Sequence, residues 1–386
     1  MEVAIDDLFK DALYTKLYYF VTFALAFITS FRLSLNSEFT INNKNNFPQM
    51  LPTIILSIIL IYYFGMRTTF GVYISDTVYY DWSWQHINEK TPIFDIDKFL
   101  NGQEWLFTGI SVLVWRLGGE FEVFMTVVAF IYISSIFLAS YHLMKANIWI
   151  AFIFFVVSFS FFGAGVNGIR NGVALHLVIY GISLLLRNKK SFIFSLFIFL
   201  IAYFLHNTSI LPIICVLIAL WIIKEPKYAI AFWFLSILIS LTTGNYIGSL
   251  FVDLGFDERM EEYFFSQENV KTMSQFSSSG FRWDFLIYSS VPVFFVWYLT
   301  IKRDFRDRMY NIIAITYILS NSFWIMVIRA SFSNRFAYLS WFIYPLVIIY
   351  PLLRMNIWTY QKRYIGLILF LYSSFTFTMY LLSANL

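Results

Sequence analysis

The 386-residue chain is poor in charge, cysteine and histidine, and each shortage excludes something. Only 13% of its residues are charged, about half the share of an ordinary soluble domain. That rules out a disordered chain or a coiled coil, both of which depend on charge for solvation. The lone Cys215 sits in an apolar run, so one chain can build neither a disulfide scaffold nor a thiolate metal site. The four histidines are scattered, and the carboxylates Asp253, Asp257, Glu258, Glu261 and Glu262 have no His-rich spacing beside them, so neither a metal nor a cofactor is expected. The net charge of +4 is not gathered into a basic stripe, so nucleic acid is not an expected partner. No basic leader region opens the chain: Glu2, Asp6, Asp7 and Asp11 have the wrong sign for a cleavable signal peptide.

What is abundant is apolar and aromatic: 59% of residues are hydrophobic and 22% are Phe, Trp or Tyr. A hydrocarbon core about 30 Å thick takes roughly 20 apolar residues per helix. Runs free of charge cover 17–31, 45–66, 123–144, 146–169, 171–186, 191–223, 228–252, 285–301, 309–328, 336–353 and 364–386. The run 191–223 is too long for one helix, and HNTSILP at 206–212 offers polar groups and Pro212 to turn it. The reading is therefore an all-α polytopic membrane protein with about twelve transmembrane helices. The short piece 105–118, which carries Arg116, reads as a half-helix or re-entrant segment. No internal repeat or soluble domain interrupts what reads as a single integral membrane domain, 1–386.

Positive residues in short loops set the orientation. Threading twelve spans puts RNKK (187–190), KEPK (224–227), KRDFRDR (302–308) and RMNIWTYQKR (354–363) on one side, with Arg32, Lys44 and Lys145. That side holds fifteen Lys and Arg against four Asp and Glu; the other holds twelve against nineteen. The first is read as cytoplasmic, which leaves both termini outside. The hydrophilic stretches 67–104 and 253–284 then fall within outer-face segments 66–120 and 244–284.

Against that bias, Arg67, Arg170, Arg282, Arg329 and Arg335 stand at span ends on the outer side. Ionisable groups at that depth usually face the bundle interior or a wet cavity, and a guanidinium binds phosphate oxygens in pairs. Five arginines from different spans suit one polyanion site; the plainer alternative is that each snorkels to the headgroups. The string GAGVNGIRNGVA (163–174) surrounds Arg170 with Gly163, Gly165, Gly168 and Gly172, leaving room for a ligand or for close helix packing. Asn167 and Arg170 among those glycines are not explained by packing. His206 ends an outward span, where it can serve in proton transfer or as a structural hydrogen-bonder. His86, His142 and His176 read as structural. The aromatic stretch DTVYYDWSWQHINEK (76–90) predicts an interfacial helix whose Tyr79, Tyr80, Trp82 and Trp84 anchor at the interface or guide a glycan. Ser277, Ser278, Ser279 and Gly280 suggest a mobile part of a lid over 253–284.

With these strings the chain resembles the EpsG-like branch of the Wzy-type polysaccharide polymerases. Arg67, Gly71, Asp76 and Tyr80 in GMRTTFGVYISDTVYY are similar to that family's signature after the second span. Glu104 resembles its Glu before the next helix, IRNGVA its IRQ-type string and HNTS its HKS-type string, with Asn171 where Gln is usual. The resemblance implies a GT-C-like, membrane-embedded glycosyltransferase of the bacterial inner membrane. It would polymerise undecaprenyl-diphosphate-linked repeat units on the outer face, alongside a possible chain-length regulator. Arg170, with Arg282, Arg329 or Arg335, would stabilise the leaving diphosphate. His206 is the first candidate base, with Asp76 and Glu104 behind it. Arg67, Asp76, Tyr80, Glu104, Asn167 and Arg329 would bind substrate. A lipid-linked oligosaccharide flippase and an O-antigen ligase remain as rivals.

Overall fold

The computed structural model of the chain describes residues 5–35, 47–67, 75–253, 281–329 and 333–384. The described residues are helical without strands and fall into two compact units, Met1–Asn207 with Ile349–Leu386, and Thr208–Ile348. In lipid, every backbone N–H and C=O must be satisfied within the protein, and helices do this within a single segment. Seven helices among the described residues are long and apolar enough to cross a bilayer, running from Leu13–Leu35 to Gln361–Ser383. Four shorter apolar helices, Gln49–Gly65, Leu106–Arg116, Ile169–Leu184 and Asn207–Trp221, accompany them.

The first unit contains α1 (Ile5–Leu35), α2 (Phe47–Gly65), α3 (Ser75–Gln85), α4 (Ile96–Leu100), α5 (Leu106–Arg116), α6 (Phe121–Met144), α7 (Ile148–Val156), α8 (Phe161–Val166), α9 (Ile169–Leu184) and α10 (Lys189–Leu205). The second contains α11 (Ile210–Trp221), α12 (Pro226–Asp253), α13 (Trp283–Trp297), α14 (Arg308–Met326) and α15 (Ser333–Trp341). The chain then passes through α16 (Tyr344–Arg354) to α17 (Gln361–Ala384) of the first unit.

Within the first unit, α6 packs against α2 and α9, α9 against α10, and α1 against α17. The central α6 buries one broad face, from Phe121 to Met144, and leaves Val123 and Phe130 exposed on the other, as an amphipathic helix packed on one side does. Close approaches fall at small residues: a Cβ on Gly181 would lie 2.4 Å from the Phe199 ring, and one on Gly366 2.7 Å from the Ser30 carbonyl. Polar side chains bind backbone carbonyls beside the helix breaks. Tyr18 donates to the Val156 carbonyl that ends α7, at 2.5 Å, and Tyr132 donates to the Phe161 carbonyl at 2.8 Å.

The second unit is held by a buried polar chain: Trp233 Nε1 donates to Asn321 Oδ1 at 2.8 Å, and Asn321 Nδ2 donates to Ser340 Oγ at 3.0 Å. Ser289 takes two further bonds, from Tyr317 to its carbonyl and from Trp341 Nε1 to its hydroxyl. Such bonds join helices where apolar packing against lipid does not discriminate partners.

Several uncharged runs are broken where the sequence shows no mark. The run 146–169 is not one helix: α7 stops at Val156 and α8 begins at Phe161. The run 336–353 carries a two-residue turn between Trp341 and Tyr344 within one candidate span, Arg335–Arg354. The long run 191–223 does divide at HNTS, with Pro212 inside the first turn of α11, where its missing N–H costs nothing. The piece 105–118 forms the eleven-residue α5, and 76–90 contains the eleven-residue α3.

The glycines around Arg170 differ in what they do. A Cβ on Gly172 would meet the Ala164 carbonyl oxygen at 2.3 Å, and one on Gly165 the Phe64 ring at 2.8 Å, whereas Gly168 has nothing within 4 Å. Gly165 and Gly172 are thus packing residues, and Gly168 is open. Gly172→Ala should force α8 and α9 apart, at an overpacking cost of about 1–3 kcal/mol, and lower the thermal midpoint in detergent. Gly168→Ala should leave the midpoint unchanged; equal midpoints for the two variants would contradict this packing.

Candidate functional site

Three interruptions in the helices of the first unit place polar side chains together. The first is the loop before α5. Gly102 takes φ +66, a conformation that favours glycine, and its carbonyl accepts from Tyr203 at 2.8 Å. Two residues on, Glu104 lies just ahead of the α5 N-terminus, where a carboxylate is favoured by the helix dipole. The second interruption separates α8 from α9, so Arg170 is the second residue of a helix whose N-terminus is itself positive. The third follows α10: His206 leaves the helix in an extended conformation, φ −158 and ψ 113.

Glu104 joins these three places. Its Oε2 lies 3.0 Å from Arg170 Nη1. Its Oε1 lies 2.5 Å from His206 Nδ1 and accepts the Asn207 backbone N–H at 3.0 Å. Side-chain exposure is 23% for Glu104, 29% for Arg170 and 12% for His206, so the cluster is half-buried. Burial alone pushes the Glu104 carboxyl up. The hydrogen bond and charge of His206, the charge of Arg170 and the Asn207 N–H outweigh it and bring the group from 4.5 down to about 2. Glu104 is therefore ionised at any physiological pH. The carboxylate against Nδ1 orients the imidazole ring, and a proton on Nδ1 would leave Nε2 as the acceptor.

Arg170 is held from its other side as well. Its Nε donates to the Tyr80 hydroxyl at 3.4 Å, and its guanidinium lies 5.6 Å from the Tyr80 ring centroid and 6.0 Å from that of Phe107. The ring of Tyr80 packs on Phe107 at 5.3 Å. With Nη1 on Glu104 and Nε on Tyr80, Nη2 has no hydrogen-bond partner among the described residues. A carboxylate, an oriented imidazole and a guanidinium in one half-buried place can accept a proton and stabilise a developing negative charge together.

Arg67 has a different setting. It is 4% exposed, and its donors reach the carbonyls of Phe64, Gly165 and Val166 and the hydroxyl of Thr77. Those carbonyls end α2 and α8, where a cation complements the helix dipoles. Thr77, fully buried, also donates to the Val166 carbonyl at 2.8 Å. One residue on, Asn167 Oδ1 accepts the backbone N–H of Asp76 at 3.0 Å. Arg67, Asp76 and Asn167 thus tie α3 to the α8–α9 break.

Arg282, Arg329 and Arg335 belong to the second unit. Arg282 is paired with Asp284, at 2.9 and 2.6 Å, and lies 3.8 Å over the Phe285 ring. Arg329 lies 5.9 Å from the Phe281 ring centroid, and its buried Nε has no acceptor among the described residues. Arg335 is half-buried on α15. Gly71 and the serine-rich part of the expected lid, 277–280, lie outside the described residues.

Sequence reasoning missed Thr77, Phe107 and Gly102. Thr77 was findable, because it lies one helical turn before Tyr80 on the same face of α3. Phe107 is one ring in an apolar run, with nothing to mark it.

A family model described as the EpsG family matches residues 50–385 of the chain. No curated protein and no solved structure matches it.

The depressed Glu104 carboxyl gives a pH test. A group whose folded value lies below its ordinary 4.5 contributes stability that is complete above that pH and lost as pH falls toward about 2. The midpoint of the wild type in detergent should exceed that of Glu104→Gln at pH 7. The gap should close between about pH 4.5 and 2. A gap that stays constant over that range would show that the carboxylate is not held by its neighbours.

Proposed function

The chain belongs to the EpsG family, and on that premise we propose that it is a membrane-embedded glycosyltransferase that polymerises undecaprenyl-diphosphate-linked oligosaccharide repeat units. The observation that carries this reading is the bridge from Glu104 to both Arg170 and His206. A lipid diphosphate leaves with growing negative charge, and the attacking sugar hydroxyl must lose a proton. The bridge sets a fixed cation and a fixed base side by side for those two demands.

In this reaction an acceptor hydroxyl oxygen bonds to the anomeric carbon of the donor sugar. The bond from that carbon to the diphosphate breaks, and both its electrons go to the lipid diphosphate. The hydroxyl proton passes to His206 Nε2, and the imidazolium is stabilised by Glu104. Arg170, at the positive end of α9, receives the diphosphate on its Nη2 edge. Glu104 thus acts as a positioning residue for both partners, and not as the base or as a substrate contact.

The reaction is placed on the outer face of a bacterial inner membrane, in a GT-C-like fold crossing twelve times with both termini outside. Support for that face comes from the loop charges, which put fifteen of the basic residues on the opposite side. A chain-length regulator is a possible partner of such an enzyme.

Purified protein with a lipid-linked repeat unit should make a ladder of products. Arg170→Ala should slow it about 10²–10³-fold, and His206→Gln about 10²–10⁴-fold, at normal protein levels. Cells carrying Arg170→Ala should accumulate single repeat units at their surface. Loss of surface units altogether would overturn the proposal in favour of a flippase. A single product without a ladder would point to a ligase.

A further inference from the structure

Helix α3 carries a feature that the proposed chemistry does not use. Its inner face, at i, i+3 and i+7, is turned into the first unit: Thr77 and Tyr80 are buried, and Trp84 stacks on Phe124 at 5.7 Å and 20°. On the other face Tyr79 and Trp82 are 59% and 55% exposed. Their rings stack at 6.1 Å and 26°, and the Trp82 ring lies 4.1 Å from the exposed His86 ring at 36°. Tyr79 meets Tyr80 edge-on at 6.1 Å, and Tyr80 receives Arg170. The rings form an unbroken row from the guanidinium to the end of α3. Residues 79, 82 and 86 recur at helical spacing and span about 10 Å.

Exposed Tyr and Trp on a membrane protein often sit at the lipid interface. The charge of α3 argues for another occupant. Interfacial helices pair their aromatic residues with Lys and Arg, and anionic headgroups repel carboxylates. Helix α3, SDTVYYDWSWQ, has Asp76 and Asp81 and no basic residue. Asp81 Oδ2 accepts from Gln85 Nε2 at 3.1 Å, so a carboxylate and an amide border the exposed rings. Flat rings for the C–H face of a sugar, with acceptors at their edges for its hydroxyls, suit a neutral glycan.

We propose that Tyr79, Trp82 and His86 form a glycan track that stacks sugar rings of the lipid-linked chain beside the reacting end and retains it between additions. The proposal rests on the polymerase reading of the Arg170–Glu104–His206 site. Its register, i, i+3, i+7, engages several sugars at once, so it favours longer chains over single repeat units.

The test uses cells in which this protein is the sole polymerase, with polymer length read on gels and protein level read in membranes. Tyr79→Ala with Trp82→Ala should shorten the polymer about three- to tenfold, the loss expected from removing stacked rings, at an unchanged protein level. Tyr79→Phe with Trp82→Phe should restore the length. A wild-type length distribution in the alanine variant overturns the track. So does a lower membrane protein level with unchanged length, which assigns the rings to lipid anchoring. The underlying reading fails separately: in that case Arg170→Ala still makes polymer, whatever the ring variants do.

Discussion

The site depends on one carboxylate with two ends. Glu104 gives one oxygen to Arg170 and the other to His206 and the Asn207 N–H. A half-buried anion is tolerated only when its hydrogen bonds and charge are answered, and all three partners answer this one. The same bonds fix Arg170 in place and orient the His206 ring. Removing either partner leaves the carboxylate poorly compensated, so Arg170 and His206 are held as one unit through Glu104.

The fold builds that device from helix ends. Three helix breaks occur in the first unit, before α5, between α8 and α9 and after α10. Each delivers one of the three side chains at the end of a stiff helix. Arg67 and Thr77 secure the second break by bonding the carbonyls that end α8. A buried guanidinium that faces helix C-termini serves as a clamp. It sets where α3 sits, and therefore where Tyr80 meets Arg170.

Much of this was legible in the sequence, because hydropathy follows directly from the bilayer as solvent. The uncharged runs anticipated helices such as α1, α6, α14 and α17, and the division at HNTS. The break after Val156 was not legible: neither charge nor proline marks it, and it arises from turns that the local sequence tolerates but does not demand. Arg170, His206 and Glu104 each stood out as residues, but their partnership did not. Glu104 lies 66 residues from Arg170 and 102 from His206 in the chain, and no periodicity spans such distances. Arg67 shows the converse, since its position at a span end was readable while its inward direction was set by carbonyls contributed from α8. The pairing of Arg282 with Asp284 was visible at two-residue spacing, yet a count of arginines alone passed over it.

The most direct measurement of the account is a double-mutant cycle on purified protein, comparing kcat/KM for polymerisation in Glu104→Gln, His206→Gln and the double variant. If Glu104 acts through the imidazole, the double variant should be little slower than His206→Gln alone, a coupling as large as the loss in Glu104→Gln itself. Losses that simply multiply would mean that the carboxylate and the histidine work separately, and the bridge between them would not be the basis of the site.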